Sequence, residues 1–336
     1  MREPPSLCAK RGVPAVGARQ AVTMAGDVYD PFARGPFPVG VHLLRARDGA
    51  RDRVFPAEVR YPGRPGPHPL VLYSHCSGGH RRSATFLTTH LASHGYAVAS
   101  LDHSEVFAAE LAPHDGETPE QRAARIEAVV VSRVPDLRFL LEYVLGDVPR
   151  VEVDAHRIGL VGHSFGGWTV LAMAGIEPRV RAVVAHAPAG STDPLPGVLP
   201  VPLTLNWNRD VPTLFLAADD DVPIPPAAVR NVFDRTPGTK RIATLRRADH
   251  QHFVDDVEGA HEAVRTMAPP PEGAWMVAAT RPMTELCDGD TAHAFVRALT
   301  LAHLDATLRA NPAAARFFAG DLSAELAARG IDAEVG

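Results

Sequence analysis

Short apolar segments alternate along this chain with longer segments in which apolar residues recur at helical spacing. The short segments are rich in valine, leucine and alanine, which is typical of buried strands. Where a strand, a helix and a second strand follow one another, the strands are expected to pair in parallel, because the helix makes the crossover. The pattern predicts an α/β protein with a mostly parallel central sheet and helices on both faces. The predicted strands are residues 40–46, 54–61, 69–74, 96–101, 180–185, 213–217 and 241–245, with one more that ends just before Ser164.

Prolines mark the expected starts of several helices. Thr118 and Pro119 fit the cap and first turn of a helix through residue 131, and Pro135 is expected to begin a second helix that ends at 145. The other predicted helices are residues 84–94, 168–173, a segment after Pro226, 291–309 and 324–329.

The chain divides into an arm and one long globular region. Residues 1–35 are rich in Pro, Gly, Ala and Arg without periodicity, and we expect a disordered or loosely attached arm. Residues 36–336 contain no internal repeat and no long linker, so we expect a single domain. Two insertions, 187–211 and 266–290, interrupt the alternation. Each either lines or covers a functional site or is an ordinary surface loop.

The composition is that of a folded globular protein and argues against several function classes. Of 336 residues, 46% are hydrophobic and 22% are charged, which provides a sizeable core. A net charge of -5 with scattered arginines offers no basic surface, so no nucleic-acid partner is expected. No apolar run approaches the roughly 18 residues of a membrane span, and no signal-peptide core is evident, so we expect no membrane span and a cytoplasmic location. The chain has too few cysteines for a disulfide framework or a zinc pattern, and its histidines show no ligand spacing, so no metal is expected.

The most informative motif is Gly-His-Ser-Phe-Gly at 162–166, between an apolar strand and a helical segment. A Gly-x-Ser-x-Gly sequence in this context is typical of a sharp turn that exposes a serine hydroxyl at the sheet edge. The helix that follows presents free amides and the positive end of its dipole, which favour a developing oxyanion. We therefore predict that Ser164 is a nucleophile.

A serine nucleophile needs a base and an acid, expected in the chain order Ser, Asp or Glu, His. The buried-strand pattern at 213–217 is followed closely by three aspartates, of which Asp221 is favoured and Asp219 and Asp220 are the alternatives. The loop after the strand at 241–245 contains His250 and His252, and His250 is the predicted base. The remaining candidate bases are His252 and His186.

An oxyanion hole is expected from two backbone amides. One is the amide of Phe165, the residue after the nucleophile, and we assign the other to Ser77, in the glycine-containing loop after the strand at 69–74. Cys76 precedes Ser77, and packing as a small buried residue is favoured over a redox role.

Taken together, these segments resemble the α/β-hydrolase fold, and more closely the platelet-activating-factor acetylhydrolases and bacterial dienelactone-hydrolase-like esterases. The resemblance covers roughly residues 36–258 and rests on 74–81, 91–96, 162–167 and 250–253, which occur in the family's order. It implies cofactor-independent hydrolysis of carboxylic esters with short or compact acyl groups. The residues it implies are Ser164 as nucleophile, His250 as base, and Ser77 and Phe165 as oxyanion donors.

The chain departs from those relatives at two positions. His186 lies where the acetylhydrolases carry the triad aspartate, so the acid is expected at Asp221, the commoner hydrolase position. Cys76 lies where glycine is usual in the oxyanion loop.

We therefore predict a serine esterase that acts on a small-molecule ester. The same triad also serves thioesterases, lactonases and dienelactone hydrolases, because acyl-transfer chemistry does not identify the leaving group. A non-catalytic hydrolase-fold protein that binds a ligand is the alternative of another class. Apolar residues at 106–107 and 198–199 either form a substrate pocket or pack ordinary loops.

Overall fold

One mixed sheet is the framework of the protein. The computed structural model describes residues 29–148, 151–268 and 271–336, and nine strands pair into this sheet within those ranges. The order across the sheet is β1-β2-β4-β3-β5-β6-β7-β8-β9. The strands are β1 (Val39–Asp48), β2 (Arg53–Pro62), β3 (His68–Ser74), β4 (Ala97–Leu101), β5 (Val153–His163), β6 (Val180–His186), β7 (Thr213–Ala218), β8 (Lys240–Leu245) and β9 (Ala333–Val335).

Strands β3 to β8 run parallel, and β1, β2 and β9 are antiparallel at the two sides of the sheet. All residues of β3, β4 and β7 are buried, as expected for strands that helices cover on both faces. The predicted α/β architecture and strands are confirmed. β9, which the sequence analysis did not predict, has three residues, too few for a recognisable alternation.

The helices cover both faces of the sheet. Helix α8 packs on β5, β6 and β7, while α3 packs on β3, β4 and β5. The helices are α1 (Thr85–Ser93), α2 (Ser104–Phe107), α3 (Pro119–Asp147), α4 (Phe165–Ile176), α5 (Pro226–Arg235), α6 (Val257–Thr266), α7 (Ala274–Ala279), α8 (Gly289–Leu308), α9 (Pro312–Ala319) and α10 (Leu322–Ala327).

Helix α3 is continuous where two helices were predicted. Thr118 caps it as expected, with a capping box to Gln121, but Pro135 lies inside the helix and does not begin a new one. Proline lacks the amide that would bond to the carbonyl four residues earlier, here that of Val131. Val131 is 65% exposed, so this interruption lies on the solvent side of the helix, where water can replace the lost bond. The prediction of a break at Pro135 is wrong for this reason.

The end of the predicted N-terminal arm is attached to the fold. The Tyr29 hydroxyl donates to Asp305 of α8 at 3.1 Å, and the Gly35 amide donates to the Ser93 hydroxyl at 3.0 Å. The prediction of a loose arm therefore does not hold for residues 29–35, while residues 1–28 lie outside the described residues. In the described part of the chain, no helix combines the length and apolar character that crossing a membrane requires.

Candidate active site

The carboxyl ends of the parallel strands meet at one edge of the sheet, and Ser164 lies there between β5 and α4. Its backbone has φ 57° and ψ -116°, a left-handed conformation that is costly for a residue with a side chain. A Cβ on Gly162 would lie 2.2 Å from the Gly166 carbonyl oxygen, and a Cβ on Gly166 would lie 2.0 Å from the Ser74 carbonyl oxygen. The two glycines are therefore required by the close approach of backbone to backbone at this turn.

A chain of two hydrogen bonds links Ser164 to a buried carboxylate. His250 Nε2 is 2.8 Å from Ser164 Oγ, and His250 Nδ1 is 2.7 Å from Asp221 Oδ2. Asp221 Oδ1 also accepts from the Ile224 amide at 2.7 Å, which fixes the carboxylate. This geometry protonates Nδ1 and leaves Nε2 free to accept the serine proton.

The other candidate acids point elsewhere. Asp220 binds Arg281 of the second insertion at 3.0 Å, and Asp219 lies 3.7 Å from Arg246. Asp221 is therefore the member of the three that reaches the histidine.

The other candidate bases also have different partners. His252 Nδ1 lies 2.7 Å from Asp249, and His252 Nε2 lies 3.0 Å from the Cys287 carbonyl. His186 stacks on Phe253 and lies 3.3 Å from the Thr300 hydroxyl. Neither ring is hydrogen-bonded to Ser164.

The electrostatic environment makes His250 a stronger base. Burial of the ring disfavours its charged form, but the charge and hydrogen bond of Asp221 outweigh that effect and raise the pKa of His250. The Asp249 carboxylate acts in the same direction.

The loop after β3 supplies free amides beside Ser164. Cys76 and Ser77 border the same cavity as Ser164 and Phe165, and in the part of the chain that the structure describes neither of their amides donates to a protein group. The Cys76 carbonyl accepts a hydrogen bond from His75 Nδ1 at 2.7 Å. Because a trans peptide points its C=O and the next N–H in opposite directions, this bond directs the Ser77 amide.

The buried side chain of Arg133 supports this loop from behind. Its Nη1 donates to the His75 carbonyl at 2.6 Å and its Nη2 to the Cys76 carbonyl at 3.2 Å. The guanidinium also pairs with Glu105 and lies 4.2 Å from the centre of the Phe165 ring. Arg133 thus contacts both segments that carry the predicted oxyanion amides. The sequence analysis missed it, because an arginine in a helical segment normally faces solvent.

Cys76 is a cavity-wall residue and shows no sign of an activated thiol. Burial raises its pKa, although nearby Arg133 opposes the effect, so the neutral thiol is favoured. The residue is only partly buried, so it is less enclosed than expected for a packing residue, but a neutral thiol does not favour a redox role.

A second buried network anchors the loop that carries His250. Asp249 lies between His252 and His261, with Oδ2 2.6 Å from His261 Nδ1. Its Oδ1 also accepts from the Gln251 amide at 2.8 Å, so the residues on both sides of His250 are fixed.

Both insertions border the Ser164 cavity, whose volume is about 330 Å³. The first contributes Val198 and Leu199 and the second contributes Met276, whereas Val106 and Phe107 lie outside its lining. Of the two alternatives for the insertions, the structure supports a role in lining a site.

One cluster near the site has the composition of a metal centre. Ligand atoms of His103, Glu105 and Asp136 lie within 4.8 Å of one another. Each carboxylate already binds an arginine, Glu105 that of Arg133 and Asp136 that of Arg51 at 2.6 Å. These guanidinium groups supply the positive charge that a metal ion would bring, so the cluster fits a salt-bridge network better than a cation site.

Comparisons with known proteins agree with this geometry. A family model described as PETase, PET hydrolase-like, matches residues 76–294. Cutinase cut1 of Thermobifida fusca is 27% identical over 256 residues, which cover 70% of each chain. Cutinase 2 of Thermobifida cellulosilytica is 26% identical over 245 residues, 68% of this chain and 81% of the relative. A platelet-activating factor acetylhydrolase of Canis lupus familiaris is 27% identical over 170 residues, 39% of this chain and 37% of the relative. The chain therefore belongs to the PET hydrolase-like family of α/β-hydrolases and is a carboxylic ester hydrolase.

Proposed function

We propose that this protein hydrolyses small carboxylic esters with short or compact acyl groups through an acyl-enzyme on Ser164. The observation that carries the proposal is the hydrogen-bond chain from Asp221 through His250 to Ser164, with distances of 2.7 and 2.8 Å. Nucleophile, base and orienting acid lie within hydrogen-bond reach of one another, as this mechanism requires.

The reaction proceeds in two stages. In the first, His250 Nε2 accepts the Ser164 proton as Oγ bonds to the ester carbonyl carbon, and the amides of Ser77 and Phe165 bind the resulting oxyanion. The tetrahedral intermediate then breaks its bond to the alkoxy oxygen, which takes the proton from His250 and leaves as the alcohol. In the second stage, water attacks the acyl-enzyme with His250 as base, and the acid is released as Ser164 regains its proton.

The size of the cavity supports the preference for compact acyl groups. The space beside Ser164 is about 330 Å³, at the lower end for small-molecule sites. Val198, Leu199 and Ile224 give it apolar walls. A cavity of this volume with apolar walls accommodates a short acyl chain.

The experiment is hydrolysis of p-nitrophenyl esters from acetate to palmitate by wild type and Ser164→Ala. We expect activity to be highest for short chains and to fall by several orders of magnitude in Ser164→Ala. The matched control is Ser323→Ala, which removes an exposed hydroxyl on α10 and should leave activity unchanged. Wild-type activity in Ser164→Ala would refute the mechanism, and a maximum at palmitate would refute the compact acyl site.

A cytoplasmic location is a separate proposal. It is supported by the thiols of Cys76 and Cys287, which are both free, as is usual in a reducing compartment. Fractionation of the native cell with an antibody to the chain tests it, and recovery from the culture medium or cell envelope would refute it.

A further inference from the structure

A second cavity of about 270 Å³ lies beside the Ser164 cavity, on the other side of His250. It is bounded by the loop after β7, the segment around His250, and helices α6 and α7. The two cavities meet at a common border, so the second is continuous with the place where the ester bond is broken. The residues that line both are Gly197, Pro223, His250, Gln251 and Met276.

The lining of the second cavity is apolar. Most of its polar side chains already make hydrogen bonds within the protein. Asp249 binds two histidines, and the Thr280 hydroxyl donates to the Met276 carbonyl at 2.8 Å. Among the described residues, the side-chain amide of Gln251 makes no hydrogen bond, and it lies where the two cavities meet. The space therefore fits an apolar group whose polar atoms are at the end nearest the catalytic residues. The apolar lining residues are Val222, Pro223, Val264, Met267, Met276 and Val277.

Helix α7 forms the outer wall of this cavity and is fixed to the rest of the protein. Met276 and Val277 of this helix and Thr280, the residue that follows it, line the cavity. In the same helix, Trp275 Nε1 donates to the Pro196 carbonyl at 2.9 Å. This bond ties the second insertion to the first, next to Gly197, which borders both cavities.

The chemistry decides which part of an ester occupies which cavity. Ser164, the oxyanion loop and Phe165 all border the first cavity, which therefore receives the acyl group. The proton on His250 Nε2 must reach the alkoxy oxygen, so the alcohol portion lies on the imidazole side. His250 borders the second cavity, whereas Ser164 does not.

Resting on the proposed function, we infer that the second cavity is the binding site for the alcohol portion of the substrate, and that it takes an apolar aromatic or branched alcohol. A cavity of about 150 Å³ with apolar walls accommodates a benzene ring, so this one has room for a benzyl group. The natural substrates are then esters that combine a compact acyl group with an apolar aromatic or branched alcohol group.

The test compares two esters of one acid, methyl butyrate and benzyl butyrate, in variants that fill the cavity. In Val277→Trp the indole occupies the alcohol site, and we expect kcat/KM for benzyl butyrate to fall at least about 10-fold relative to methyl butyrate. Val264→Phe fills the same cavity from α6 and should have the same selective effect. The matched control is Ala278→Trp, at the neighbouring exposed position of α7, which should leave the ratio of the two esters unchanged.

Three outcomes would overturn the inference: an equal loss on both esters, no loss on either, or a selective loss on methyl 4-phenylbutyrate, which has a large acyl group. Failure of the proposed function itself is recognised separately, as absence of methyl butyrate turnover in wild type. Benzyl alcohol binding to Ser164→Ala, measured by NMR, tests the cavity without catalysis. We expect binding that Val277→Trp abolishes, and equal binding in both proteins would also overturn the inference.

Discussion

The Arg133 guanidinium donates to the backbone carbonyl of His75 at 2.6 Å, although the two residues are 58 positions apart in the chain. A fully buried arginine is rare unless its charge is paired and its donors are used. Here Glu105 pairs the charge, and the two loop carbonyls accept hydrogen bonds from Nη1 and Nη2, while the buried Nε has no partner among the described residues. The loop that presents the Ser77 amide is therefore held by a side chain that borders neither cavity.

Arg133→Lys should lower kcat by about 10 to 100-fold with little change in KM, because lysine keeps the charge beside Glu105 but cannot bond both carbonyls at once. Steady-state kinetics on p-nitrophenyl acetate measure kcat and KM separately. Arg125→Lys is the control, since Arg125 lies on the same helix and binds Glu117 away from the site. A rise in KM at constant kcat would contradict a role in oxyanion binding.

Asp221→Asn should reduce kcat by about 10⁴-fold, because the amide no longer holds the correct histidine tautomer. It should also shift the pH profile. In wild type the carboxylate raises the pKa of His250, so kcat/KM rises with pH through that raised value as the imidazole becomes neutral. Removing the negative charge lowers this pKa and moves the acidic limb to lower pH. Asp220→Asn is the control, because Asp220 binds Arg281, and equal effects of the two substitutions would refute the assignment of the acid.

Gly166→Ala should reduce stability and activity together. The added Cβ would lie 2.0 Å from the Ser74 carbonyl oxygen, a clash with backbone that only a displaced turn can relieve. Thermal unfolding and labelling of Ser164 by a fluorophosphonate measure the two effects. In Gly146→Ala, near the end of α3, nothing lies within 4 Å of the new Cβ, so a small gain in stability is expected. If the thermal unfolding midpoint and the rate at which the fluorophosphonate labels Ser164 are unchanged in Gly166→Ala, the turn does not require glycine.

Stability should decrease in mildly alkaline solution because of His252. Its Nδ1 lies 2.7 Å from Asp249 Oδ1 and its Nε2 lies 3.0 Å from the Cys287 carbonyl oxygen, two oxygens that favour a ring with a proton on each nitrogen. Burial disfavours the charged ring, but Asp249 and the Cys287 carbonyl outweigh it and raise the pKa of His252 to about 10, from an ordinary 6.5. A group with a raised pKa stabilises the fold fully below its unfolded pKa and loses that contribution as pH rises through the folded value.

The free energy of unfolding in urea should therefore fall between about pH 6.5 and 10. Asp249→Asn should remove most of this decrease in unfolding free energy with rising pH. Asp256→Asn should retain it, because Asp256 caps α6 and asparagine is an equally good cap. An unfolding free energy that does not change with pH over this range in wild type would contradict a charged His252.

The parts of the site that depend on local sequence were predictable. Ser164 follows from the glycine spacing of its turn, and Asp221 and His250 follow from chain order at the ends of apolar strands. The sequence alone did not decide which of several adjacent aspartates directs its side chain towards His250. Asp220 and Asp221 differ only by one position along a turn, and the Ile224 amide that holds Asp221 is a tertiary detail.

Long-range relationships were not predictable from pattern alone. The burial of Arg133 depends on Glu105 and on a loop 57 residues earlier, and no local signal distinguishes it from the exposed arginines of the same helix. The continuity of α3 through Pro135 likewise depends on which face of the helix meets solvent. In both cases packing between distant segments outweighed local propensity.

The bond from Trp275 to Pro196 joins segments 79 residues apart, neither of which contributes to the hydrogen-bond chain at Ser164. The two insertions and the glycine turn that carries Ser164 are thus different parts of the chain, although His250 belongs both to the cavity walls and to the hydrogen-bond chain. Loops at a sheet edge accept insertions and deletions readily, whereas the glycine turn beneath them does not. Because the Trp275–Pro196 bond couples the two insertions, a change of shape in one of them acts on the other, while the turn that carries Ser164 can stay as it is.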